Sequence, residues 1–305
     1  MAAPLTLHDL GEEAVVRGLI DLLPASGKLV LRGPGDDCAV VSLSDAKDVQ
    51  LLKVDSVVEG VHFDPAEDML RVGWKALCRA ISDVAAMGGT PVHALITLAA
   101  QPSVPWSRVR LLYEGILKAA SVYEVSIVGG ETGKTSGPLV CSVFLTGKVS
   151  ANDCVLRAGG RPGDVLFVTG RLGGSLTSGR HLDFCPRLRE GQWLAFHHFP
   201  SAMMDVSDGL CLDVQRLAAA SDCGVVLYPE GIPCNKGCTT QQALSDGEDF
   251  ELLLAVPPEK VEALCGAWTE AFPGVPLSRV GNLTEFDRGC TPHEIFIKGG
   301  YDHFQ

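Results

Sequence analysis

Residues 66–87 constrain the fold most. Leu70, Trp74, Leu77, Ile81 and Ala85 fall along one stripe at helical spacing, and Gly88, Gly89 and Pro91 close the segment. A helix with so apolar a face must bury it against another layer. Its neighbours supply the layer. "CAVVSL" and "VQLLKVDSVV" before it read as strands, and so does "VHALITLAA" after it. Residues 106–122 read as a second helix, and "EVSIVGG" and "LVCSVFLTGKV" as further strands. The spacing of residues 7–23 predicts one more helix, stopped at Pro24. This mixed βαβ order with hairpin-like neighbours indicates an α/β or α+β unit.

At 305 residues the chain is long enough for about two domains. The turn-rich stretch "SANDCVLRAGGRPGD" predicts a boundary, giving domains at 1–150 and 151–305. The second half opens on the strand "VLFVTG". Helices are expected near 187–197, 208–222 and 258–271, with strands at 224–228, 250–256, 277–284 and 294–298.

Charge and composition narrow the function. A net charge of −12 argues against a nucleic-acid groove and raises the question of whether some acids hold divalent cations. No apolar run reaches the ~18–20 residues needed to cross a bilayer, and "MAAPLTLHDLGEE" lacks the features of a secretory signal. The 11 cysteines form no paired CxxC motif and read as small apolar fillers of a reduced, cytoplasmic protein.

The acids share a local grammar: an apolar run ends and a carboxylate appears beside a small residue. "PGDDCAVV" carries Asp36 and Asp37, "LLKVDSVVEGVHF" Asp55, "RAISDVAAMGG" Asp83, "AMMDVSDGLCLD" Asp205 and Asp208, and "SIVGGE" Glu131. Each alone has a structural explanation. Asp36 could shape a turn, Asp208 could cap a helix, and Asp83 could face solvent. Together they suit a hard cation, which takes oxygen ligands from a few carboxylates plus substrate phosphates.

Two glycine-rich stretches look like phosphate loops. "VGGETGKTSG" contains Gly-Lys-Thr, but the glycine required five positions before Gly133 is Val128, and Pro138 would break the helix that must follow. The pair Lys134-Thr135 is therefore read as a turn between strands. "VTGRLGGS" misses the dinucleotide spacing and reads either as an anion-binding turn or as an ordinary strand–helix turn.

As an ordered set, "GDDCAVV", "VDSVVEGVHF", "ISDVAAMGGTP", "VGGET", "RAGGRPGD", "VTGRLGGS", "MDVSDGL", "GEDFELL" and "GYDHF" resemble the thiamine-monophosphate kinases. Their superfamily also holds aminoimidazole ribonucleotide synthetase, selenophosphate synthetase and a hydrogenase-maturation factor. The resemblance runs over nearly the whole chain. It implies a two-domain aminoimidazole ribonucleotide synthetase-like fold. An N-terminal α/β domain would bind ATP and pair its sheet with a partner's in a homodimer. A C-terminal α+β domain would close over the nucleotide.

The implied reaction passes the ATP γ-phosphoryl to thiamine monophosphate in line, with no covalent nucleophile on the protein. Such transfer depends on positioning and charge neutralisation. By the same resemblance, several Mg²⁺ ions would sit on Asp36, Asp55, Asp83, Glu131, Asp205 and Asp208. Gly130, Arg157, Ser207 and Tyr113 match nucleotide contacts, and His62, Glu248 and Tyr301 match thiamine phosphate contacts. A carboxylate and an aromatic face suit the cationic thiazolium.

The chain departs from the family pattern in four places. Glu131 stands where aspartate is usual, and Val54 where a hydroxyl often lends a ligand. Asp246 replaces a common glycine, and the stretch from Gly174 to Met203 is short. Two other readings are weighed. A sister synthetase would share "GGET" but lack "DVSDGL" and "GEDFELL". A non-enzymatic nucleotide or metal sensor would not need the whole acid set.

Overall fold

A computed structural model describes residues 6–24, 27–42, 47–286 and 300–301. The expected first helix is two: α1 (Leu7–Leu10) and α2 (Glu12–Asp21). Gly11 separates them at φ 74°, a left-handed value that ends one helix and starts the next.

The first sheet holds β1 (Val30–Arg32), β2 (Ala39–Ser42), β3 (Asp48–Val58), β4 (Thr90–Ala100), β5 (Ser126–Lys134) and β6 (Val140–Ser150). Their order is β1-β2-β3-β6-β4-β5, and only β4 and β5 run parallel. Parallel neighbours need a crossover, which α4 (Trp106–Val122) supplies. α3 (Met69–Ala86) lies between α4 and the sheet side of the core.

Alternation sorts the sheet's two faces. Val49, Leu51 and Val57 of β3, Ala94, Ile96 and Leu98 of β4, and Cys141, Val143 and Leu145 of β6 are buried in the core with α3. The other face carries Val54, Phe144 and Leu95 in register, with Val54 63% and Leu95 39% exposed.

The second sheet is antiparallel, in the order β8-β10-β7-β11-β9. It comprises β7 (Val165–Thr169), β8 (Ala202–Val206), β9 (Gly224–Leu227), β10 (Glu251–Val256) and β11 (Leu277–Thr284). Around it run α5 (Ser175–Ser178), α6 (Leu188–Phe196), α7 (Leu210–Ala220), α8 (Thr240–Ser245) and α9 (Val261–Ala271). β7, β8 and β10 are buried along their whole lengths, with apolar clusters on both faces. The architecture is thus the expected pair of α/β and α+β domains. β8 and α8 were not anticipated, and the strand expected at 294–298 lies outside the described residues.

α3 meets α4 of its own half and α6 of the other through close helix approaches. A Cβ at Gly73 would sit 1.9 Å from the Leu112 carbonyl oxygen, and one at Gly115 2.0 Å from that of Leu70. A Cβ at Gly191 of α6 would sit 2.1 Å from the Ala85 oxygen. Phe184 and Phe250, from beyond residue 151, stack on each other and join the first core.

Candidate active site

Three buried aspartates meet where the domains touch. Asp37 follows the Gly35 turn, Asp83 sits in the last turns of α3, and Asp205 near the end of β8. Each offers a carboxylate oxygen within 4.8 Å of the others. Asp37 Oδ1 accepts from Arg157 Nη2 at 2.6 Å, while its Oδ2 is buried with no hydrogen-bond partner. Ser82 Oγ donates to Asp205 Oδ2 at 2.6 Å. Burial, then Asp37, push the Asp205 carboxyl up to about 6. Burial also drives Asp83 well above the carboxylate range, against the pull of Lys53. Crowded carboxylates with an orphaned oxygen fit a hard divalent cation such as Mg²⁺.

Asp55 stands beside this group in different company. Lys53 Nζ lies 2.7 Å from Asp83 Oδ1 and 3.7 Å from Asp55 Oδ2, and Arg79 Nη2 lies 3.7 Å from Asp55 Oδ1. Burial opposes its charge, but the two cations prevail and hold Asp55 below the usual range.

Asp36, singled out in the sequence, is held by backbone donors. Its carboxylate accepts the backbone N–H groups of Asp37 and Arg157 at 3.0 to 3.3 Å. The structure brings Asp37 into the cluster instead, and Arg157 meets that aspartate. A turn has no periodicity, so nothing in "PGDDCAVV" says which acid points inward.

A cleft of about 450 Å³ adjoins the cluster, lined in part by His62, Arg79, Ser207, Asp208, Glu248 and Tyr301. Asp208 and Ser207 follow Asp205 on the chain, and Arg79 is one turn of α3 from Asp83, so the two places are contiguous. Val58 N–H donates to His62 Nδ1 at 3.1 Å, which puts the neutral ring's hydrogen on Nε2. Arg216 Nη1 holds Asp208 at 2.5 Å. Asp213, fully buried, accepts the N–H groups of Ser207 and Asp208. Burial and Asp208 push Asp213 up to about 8.

Glu248 rests on a partner the sequence did not disclose. Lys75 of α3 is fully buried, and its Nζ donates to Glu248 Oε2 at 2.7 Å and to the His62 carbonyl at 2.6 Å. Glu248 and Phe250 both adopt φ 52°, a left-handed conformation rare outside glycine. The segment is clamped there. Glu248 N–H donates to Ser207 O, Phe250 N–H donates to Val206 O, and Asp249 pairs with Arg180.

"VTGRLGGS" serves this scaffold. Gly173 N–H donates to Asp249, and Gly174 N–H to Asp246 Oδ2 at 2.8 Å, which gives Asp246 a structural task. A Cβ at Gly170 would strike the Glu251 carboxylate at 2.1 Å. The ordinary-turn reading accounts for these glycines.

Tyr113, Gly130 and Glu131 line a separate open hollow of about 780 Å³ with Ile127, Gly129 and Thr132. β5 continues through Lys134 with no helix after it, so the Gly-Lys-Thr stretch is no phosphate loop. Asp55, Val143, Ile96 and Gly130 form one row across the sheet, and Ser56, Ser142, Thr97 and Glu131 the next. Glu131 on β5 therefore lies three strand spacings, ~14 Å, across the sheet from β3, which carries Asp55. Its row belongs to the face away from α3. Within one chain Glu131 does not join the aspartate cluster.

Comparison with known proteins follows the same division. Residues 35–149 match the N-terminal domain, and residues 161–289 the C-terminal domain, of AIR synthase related proteins. The thiamine-monophosphate kinase of Rhodopirellula baltica is 38% identical over 288 residues, covering 88% of this chain and 87% of that one. That of Escherichia coli K12 is 32% identical, over 96% and 98%. The structure of AaThiL complexed with AMPPCP and TMP superposes with a TM-score of 0.82 at 29% identity, over 99% of this chain and 100% of that one.

Proposed function

The chain belongs to the AIR synthase related family and, within it, to the thiamine-monophosphate kinases; from that premise we propose how its residues carry out ATP-dependent phosphorylation of thiamine monophosphate. The observation that carries the proposal is the contiguity of two places. One is a cleft holding His62, Glu248 and Tyr301; the other is the buried cluster of Asp37, Asp83 and Asp205.

The acceptor occupies the cleft. Glu248, fixed by Lys75, faces the thiazolium cation, and Tyr301 offers it an aromatic surface. His62 donates from Nε2 to the acceptor's phosphate. The nucleoside end of ATP takes the hollow at Tyr113 and Gly130, and its phosphates would meet Ser207, which lines the cleft, and Arg157, which pairs with Asp37 of the cluster.

Asp37, Asp83 and Asp205 would hold Mg²⁺, which when bound would supply the positive charge that lets two anions approach; Asp36 and Asp208 are further candidate ligands. An oxygen of the acceptor phosphate attacks the γ-phosphorus in line as the bond to the ADP oxygen breaks. No side chain becomes phosphorylated. The domains position donor and acceptor, and the buried site excludes water that would otherwise accept the phosphoryl group. AaThiL, solved with AMPPCP and TMP, supports both substrates.

An exposed apolar row on the first sheet supports a homodimer. The row Val54–Phe144–Leu95 lies on the face away from α3, with Val54 and Leu95 exposed, and a second copy would cover it. No helix among the described residues is long and apolar enough to cross a membrane.

The test is direct. The protein with ATP, Mg²⁺ and thiamine monophosphate should yield thiamine diphosphate. A folded protein that binds ATP yet forms none would sink the proposal.

A further inference from the structure

Lys53 is the anomaly of the site. Strand alternation puts it on the buried face of β3, with Val49, Leu51, Asp55 and Val57. A lysine at such a position is costly unless its charge is used. It reaches no solvent-side partner; its ammonium lies 2.7 Å from Asp83 and 3.7 Å from Asp55.

We propose that Lys53 is a built-in cation of the transfer site, holding the position between Asp55 and Asp83 that a second divalent ion would otherwise take. This rests on reading the aspartate cluster as the kinase's metal site.

Charge supports it. Lys53 pairs with Asp83, Arg79 with Asp55 and Arg157 with Asp37, and among the described residues no cation forms such a pair with Asp205. The two acids that Lys53 does not touch keep spare acceptors: Asp37 Oδ2 is buried without a hydrogen-bond partner, and Asp205 has the Ser82 hydroxyl. One divalent ion fits there. An ammonium with three donors can bridge two carboxylates as a metal would, but it neither exchanges with solvent nor depends on the free Mg²⁺ level. In the nucleotide-free protein Asp55 is thereby removed from the ligand set.

Counting bound Mn²⁺ by electron paramagnetic resonance, on full-length protein without nucleotide, tests this separately from turnover. The wild type should bind one ion tightly, and Lys53→Ser two. Lys53→Ser combined with Asp55→Asn should return to one. In the wild-type background Asp55→Asn should leave the count unchanged, a result that does not depend on Lys53→Ser folding. Equal counts for folded Lys53→Ser and wild type would overturn the proposal. So would loss of a bound ion on Asp55→Asn alone. A failed kinase assay with these counts intact would overturn the substrate reading and leave the Lys53 assignment standing.

Discussion

A buried carboxylate without an adjacent cation destabilises the protein around it unless something neutralises it. Asp205, whose hydrogen-bond partner is the neutral Ser82 hydroxyl, is pushed up to about 6 by burial and by Asp37. Asp205→Asn removes charge from the cluster while keeping an acceptor for Ser82. It should lower kcat about 100-fold or more, leave thiamine phosphate affinity within a few-fold, and raise the melting temperature of the metal-free protein. Unchanged turnover would remove Asp205 from the metal set. Lys75 gives a pH test. Burial lowers its ammonium to about 8, against the attraction of Glu248. Above that pH the folded protein loses the cation that orients Glu248, so KM for thiamine monophosphate should rise. Lys75→Met should have a raised KM with no such pH dependence. The stability sign is opposite: the folded pKa lies below the unfolded one, so from about 8 to 10.5 this group makes stability rise with pH. A KM that follows global unfolding instead would contradict the assignment. Asp83 was legible because an acid inside an apolar helix needs a reason. Lys53 and Lys75 were not, since a long cation on an amphipathic element ordinarily points to solvent.

Among the elements, α3 carries the fold and the site together. It supplies Lys75, Arg79 and Asp83 to one side and meets α4 and α6 through glycines on others. Gly115→Ala pushes a methyl onto the Leu70 carbonyl, so it should cost about 1–3 kcal/mol or more in urea unfolding, with the second sheet's packing unchanged. A neutral effect would mean the helices separate without cost. Long periodic elements were readable: the bounds of α4 coincide with those expected, and α3 starts three residues later and ends one earlier than expected. Where tertiary contacts decide, pattern reading failed. Gly11 divides a continuous helical pattern because its backbone takes φ 74°. β8 escaped notice because five buried residues ending in Asp205-Val206 show no alternation. Its neighbour β10 was found because its apolar run is longer.

At the scale of the molecule, two arrangements must hold at once. The exposed row on the first sheet should be covered by a second copy. Val54→Lys should therefore shift the mass measured by light scattering from dimer to monomer; a wild-type monomer at micromolar concentration would remove that interface. The cleft and the cluster must also act on one phosphoryl group. Their motifs were visible in sequence as separate fragments, but their contiguity was not, because it depends on α3 passing between the sheets. A ³¹P nuclear magnetic resonance time course with ATP, Mg²⁺ and thiamine monophosphate tests this most directly. Thiamine diphosphate and ADP should appear in equal amounts, with no inorganic phosphate released and no AMP. ATP turned over to ADP and phosphate without thiamine diphosphate, or AMP as the nucleotide product, would contradict direct γ-phosphoryl transfer.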